Sequence, residues 1–189
     1  MKGSAIRTRI LEVASRLFYK QGYNSTGINQ IIEEASIARG SLYNHFPSKR
    51  DLLTAYIQNM EEFSFQEWNT LLEPIKDPKQ KLLKLFDIAM LRQTRSEFGG
   101  CAFIKIASEI PCDDLVAFDL VYHQKKATKT YMENLIAQIN IENPQSVDKE
   151  IVANTIFLLM EGAMVTATIA KNNQALIDAK KIAESLLQD

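Results

Sequence analysis

Apolar residues recur at spacings of three and four along almost the whole chain, a period that admits helices and little else. Ile6, Ile10, Val13, Leu17 and Phe18 form the first such stripe, with Arg7, Arg9, Glu12, Arg16 and Lys20 on the opposite face. Only seven Gly and five Pro occur in 189 residues, too few for the turns of an all-β fold. The chain therefore reads as all-α, with about nine helices separated by Gly, Pro and Asn breaks. Gly22 ends the first helix. Ser25 or Thr26 is expected to cap the second, whose stripe is Ile28, Ile31, Ile32 and Ala35. A very short third helix runs from about Arg39 to His45 and is stopped by Pro47. Ser48 and Asp51 form a capping box opening a long fourth helix, and Asp77-Pro78 opens a fifth. Helices over Cys101–Ile110, Asp113–Asn140 and Val147–Lys171 follow, the last capped by Ser146 after an Asn143-Pro144 turn, and a final one ends near Leu187. The pattern divides the chain into residues 1–48 and 49–189, joined without a linker.

Charge follows that division. Residues 1–53 carry eight Lys/Arg against four Asp/Glu, a balance of +4, whereas the remainder carries fourteen against nineteen, a balance of −5. A small basic segment on an acidic body suggests that the first part alone meets a polyanion. Two Cys and two His cannot supply the usual zinc sets, so no metal or cofactor is expected. The N-terminal ten residues are polar and basic with no apolar run behind them, unlike a signal peptide. Ile151–Ala170 is long enough to span a bilayer, but Asn154 and Glu161 within it argue for a buried helix. The expectation is a cytoplasmic protein with reduced cysteines and no membrane partner.

Ile28 to Leu53 carries the functional signal. Two short helices separated by a few residues are a helix-turn-helix, whose second member reads DNA. Seven residues from Arg39 to His45 make a helix about 10 Å long, matched to a major groove about 12 Å wide. Leu42 and Phe46 face the small core, leaving Arg39, Ser41, Tyr43, Asn44 and His45 to hydrogen-bond, with Gly40 allowing close backbone approach. Arg39 has the fork for guanine O6/N7 and Asn44 the amide for adenine N6/N7. Tyr43, His45, Lys49 and Thr26 are candidate phosphate contacts, Lys49 from a helix N-terminus.

The segments LFYKQGYNST, RGSLYNHFPSK and DLL resemble the TetR family of bacterial transcriptional regulators over roughly the first 55 residues. GGCAFIKIASE further along resembles a segment found in many members. Two positions depart from the usual pattern: Ser36 stands where glycine is common, and Ala38 where Ser or Thr often caps the reading helix. The resemblance implies a homodimer formed through a four-helix bundle of the last two helices, a palindromic duplex operator, and an effector cavity among the fourth to seventh helices. It also implies repression relieved by a small effector.

Most aromatic residues of the acidic body read as core. Those best placed to line an effector site are Trp68, Phe86, Met90, Phe103, Phe118 and Tyr122, with His123 as a polar partner. Cys101, behind Gly99-Gly100 at a helix start, and Cys112 are candidate sensor thiols against a plain packing role. The last two helices carry apolar residues on more sides than one short bundle can bury, which a second copy would cover. The rival reading is an all-α binding protein or enzyme using Glu109 and His123 as an acid–base pair; no spacing supports it, and no catalytic residues are assigned.

Overall fold

The computed structural model describes residues 2–140 and 148–187. Among the described residues there are nine helices and no strand. They are α1 (Lys2–Gln21), α2 (Ile28–Glu34), α3 (Arg39–His45), α4 (Lys49–Leu72), α5 (Pro78–Arg95), α6 (Ala102–Glu109), α7 (Leu115–Ala137), α8 (Lys149–Ala170) and α9 (Gln174–Leu186). They form two compact units. The first holds the chain up to Ser64 together with Ala102–Tyr122, and the second holds Phe65–Cys101 and the chain from His123 onward. The first unit thus extends past residue 48, taking in the start of α4, all of α6 and the start of α7.

In the first unit α1, α2 and α3 enclose Ile10, Leu17, Phe18, Ile31, Leu42 and Phe46, all buried. Phe18 meets Tyr23 and Tyr56 edge-on, with ring centroids 5.2 and 5.5 Å apart. Tyr56 belongs to α4, so the long helix is seated on the same small core. Ser48 accepts the Asp51 N–H at 3.1 Å, the first half of the capping box read from the sequence, and its hydroxyl donates to the Asp51 carboxylate. The cap expected for α2 is corrected. Gly27 holds the N-cap position without a side-chain bond, and Thr26 instead donates its hydroxyl to the Gly22 carbonyl at 2.6 Å.

α2 ends in a Schellman turn: the Ile37 N–H donates to the Ile32 carbonyl and the Ser36 N–H to the Glu33 carbonyl. Ser36 occupies the left-handed position, φ 51°. A side chain there costs roughly 1 kcal/mol that glycine avoids, partly offset by glycine's greater freedom when unfolded. Ser36→Gly is expected to raise the melting temperature by about 1–4 °C, read by circular dichroism. An unchanged or lower value would mean that Ser36 has compensating contacts.

In the second unit α5, α8 and α9 pack around Leu82, Phe86, Ile156, Ala167, Leu176 and Ala183, each fully buried. The alanines of α8 and α9 let the two helices approach closely. Asp77 caps α5, accepting the Lys79 N–H at 3.1 Å, as its Asp-Pro start predicts. The α8 cap is Asp148, which accepts the Glu150 N–H at 2.9 Å; Asn143, Pro144 and Ser146, the expected turn and cap, lie outside the described residues.

α8 is buried by its own chain on one face only. Val152, Ala153, Ile156, Met160, Ala163 and Ala167 are buried, but Leu158 and Ile169 on the opposite face are 66% and 78% exposed. α8 is long and apolar enough to cross a membrane by length and composition alone, and its one mid-helix carboxylate, Glu161, is paired with Lys125 at 2.7 Å.

Candidate nucleic-acid interface

α3 is fixed from one side and open on the other. Leu42 and Phe46 anchor it in the core, while Arg39, Gly40, Tyr43 and Asn44 are exposed and Ser41 and His45 half-buried. Ala38 occupies the N-cap in extended conformation, so α3 starts without a side-chain cap. The Arg39 guanidinium lies 5.8 Å from the Tyr43 ring one turn on, and both side chains lie on the exposed surface. A Cβ built on Gly40 meets nothing within 4 Å, so no contact within the chain requires glycine there. Arg7 of α1 stacks over Phe46 at 5.0 Å.

Two predicted contact residues sit differently. Thr26 is buried, its hydroxyl committed to Gly22. Lys49 does stand at the start of α4, yet its ammonium donates to the Tyr23 carbonyl at 2.7 Å and lies 4.2 Å from the Tyr23 ring centroid. Burial lowers its pKa, against an opposing pull from Glu109. The Tyr23 partner was not legible, because a carbonyl 26 residues earlier leaves no mark on the local pattern.

The aromatic set predicted to line an effector site falls into both units. Trp68, Phe86, Met90 and His123 belong to the second, and Phe103, Phe118 and Tyr122 to the first. Phe86, Trp68 and Phe103 are buried, Met90 and Phe118 half-buried, and Tyr122 and His123 exposed. Trp68 packs between Phe65 and Tyr131, at 5.4 and 5.5 Å. A cleft of about 440 Å³ in the second unit is lined by Asn69, Thr70, Leu72, Glu73, Lys81 and Tyr131, none of them in the predicted set.

Several polar groups in the second unit bond one another. Gln93 donates to the Met164 carbonyl and to the Thr168 hydroxyl, both at 3.0 Å. Lys125 bridges both oxygens of Glu161 and lies 3.6 Å from Cys101 Sγ. Burial pulls the Lys125 pKa down, but Cys101 and Glu161 together outweigh it and the net shift is upward. Glu109, the proposed acid of the rival enzyme reading, is engaged instead by Asn24 in the first unit.

A short exposed helix presenting Arg, Tyr, Asn and His from a small basic helical core defines a helix-turn-helix DNA reader. Residues 10–56 match the family described as "Bacterial regulatory proteins, tetR family". Over 184 residues the chain is 27% identical to the HTH-type transcriptional regulator LmrA of Bacillus subtilis, covering 96% of each protein. It is 30% identical over 80 residues to the HTH-type transcriptional repressor KstR2 of Mycolicibacterium smegmatis, covering 42% of this chain and 39% of that one. The crystal structure of a TetR transcriptional regulator from Chloroflexus aurantiacus superposes with a TM-score of 0.81 at 25% identity, covering 97% of this chain and 94% of that one. Residues 10–56, which hold α2 and α3, therefore carry the DNA-binding region of the TetR family of bacterial transcriptional regulators. The protein is a DNA-binding transcriptional regulator and not an enzyme.

Proposed function

We propose that the protein is a ligand-responsive repressor, which binds a palindromic operator as a homodimer and is released by a small, largely apolar effector. The observation that carries this reading is the outer face of α3, where Arg39, Tyr43 and Asn44 stand exposed above a buried Leu42. Arg39 reads guanine and Asn44 adenine; Tyr43, His45 and Ser41 hold phosphates, and Gly40 lets the backbone approach. Lys49 keeps two N–H groups beyond its bond to Tyr23 and can offer them to a phosphate. Thr26 acts by tying down the α1–α2 turn. The unpartnered apolar stripe of α8 supports the dimer, and the aromatic and methionine content after residue 48 supports an apolar effector. An effector that binds one of two conformations better shifts the population away from the DNA-competent pose. Reading chromosomal duplex places the protein in the cytoplasm.

Titrating the full chain against a library-selected duplex and a scrambled one of equal length tests the reading. The selected duplex should bind at least about 10³-fold tighter at physiological salt. Equal affinities that fall together with salt would reduce the protein to a phosphate binder.

A further inference from the structure

The cleft in the second unit sits at the corner between α4 and α5. Asn69 and Leu72 come from the last turn of α4, Glu73 follows directly, Lys81 stands on the first turn of α5, and Tyr131 of α7 forms the far wall. Its volume of about 440 Å³ falls at the small end of the range for ligand sites.

The polar groups that line it are unspent. α5 carries three lysines, of which Lys79 donates to the Leu187 carbonyl at 2.8 Å and Lys84 lies 3.9 Å from Asp87. Lys81, half-buried, has no acceptor for its ammonium among the described residues. Glu73 has no donor for its carboxylate there either, whereas Glu67 on α4 is paired with Arg92 at 2.6 Å. Tyr131 is half-buried against Trp68, and its phenol donates to no described residue. Burial raises its pKa, so the hydroxyl stays protonated. Charge held partly out of water is unfavourable until something pairs with it. Glu73 and Lys81 line one cleft without bonding each other, which leaves a gap that a molecule carrying both charges closes.

We propose that this cleft binds a short amino-acid-like zwitterion, with its ammonium on Glu73 and the Asn69 side-chain oxygen, and its carboxylate on Lys81 and the Tyr131 hydroxyl. Leu72 and the Tyr131 ring take the methylenes between the charges. The last turn of α4 adds partial negative charge on the Glu73 side, which favours the ammonium end there. None of the residues assigned to an apolar effector lines the cleft, so this is a separate site for a ligand of different chemistry. Each contact is partly solvated and contributes modestly, so the expected dissociation constant is about 0.1–1 mM.

Trp68 is the chain's one tryptophan, and its ring lies 5.5 Å from that of Tyr131, so its fluorescence reports on the cleft. The full-length protein is titrated with β-alanine, γ-aminobutyrate and ε-aminocaproate, which differ only in the distance between their charges. Butylamine and butyrate at matched ionic strength are the singly charged controls. At least one zwitterion should give a saturable change and bind at least about tenfold tighter than either control. Glu73→Gln and Lys81→Met should each weaken that binding about tenfold without lowering the melting temperature. The double variant Glu73→Lys with Lys81→Glu should restore it to within about threefold of wild type. A linear zwitterion can enter end for end, and the Asn69 amide and Tyr131 hydroxyl can each donate or accept. Tyr131→Phe should weaken binding about threefold. The titration needs no DNA, so its outcome is separate from operator recognition. The proposal is overturned if no zwitterion saturates, if butylamine or butyrate binds equally well, or if the exchanged double variant binds no better than the single ones.

Discussion

Placing glutamate at both Leu158 and Ile169 is expected to make the protein monomeric and to weaken operator binding by about two to four orders of magnitude. Ile151, Leu158, Val165 and Ile169 follow one another at spacings of seven, seven and four along α8, one stripe on the face opposite its buried residues. They are 58%, 66%, 44% and 78% exposed. Gly162, within the same stretch, has nothing within 4 Å of a built Cβ, so a second helix could approach closely there. Ile177 and Ile182 of α9 are exposed as well. In a two-fold pair each residue is buried twice, and each large aliphatic side chain contributes about 1.5–3 kcal/mol on burial. Two carboxylates per chain remove that gain and add unpaired charge. Joining two readers makes binding of the second half-site intramolecular, which is the source of the expected loss. Sedimentation velocity at micromolar protein and operator titration read the two effects. A double variant that stays dimeric would move the interface elsewhere.

Arg39→Ala carries the second large effect. A bidentate arginine–guanine contact discriminates by about 1–3 kcal/mol, and a dimer makes it twice, so operator affinity should fall by roughly 30- to 10⁴-fold. The helix should survive, because Arg39 is exposed and its one described side-chain contact is the stack on Tyr43, while Leu42 and Phe46 do the anchoring. Binding to scrambled duplex should weaken only slightly. The variant's selected motif should lose preference at one symmetric pair of positions and keep the others. Uniform weakening across all sequences would instead make Arg39 a phosphate contact.

Much of this was legible in the chain because it is written locally. The bounds of α3, Arg39 to His45, follow from Pro47 and from the spacing of Leu42 and Phe46, and the structure reproduces them. Ser36 and Ala38 stood out as departures, and both have a physical counterpart: a left-handed serine and a reading helix without a side-chain cap. Ser48 and Asp77 capped as their patterns require.

Long-range partners were not legible. Nothing near Lys49 announces the Tyr23 carbonyl, and nothing near Glu109 announces Asn24, 85 residues away. Thr26 and Asp148 show that a residue able to cap does so only where the chain's path puts it at the helix start.

The proposed function rests most directly on sequence-specific duplex recognition by a two-fold pair of α3 helices. Selection of binding sites from a random duplex library with the full-length protein, at moderate salt, measures this. The expected motif is an approximate palindrome whose half-sites are read in successive major grooves, about 34–36 Å apart on one face of the DNA. Unselective, strongly salt-dependent retention with no recovered motif would contradict it.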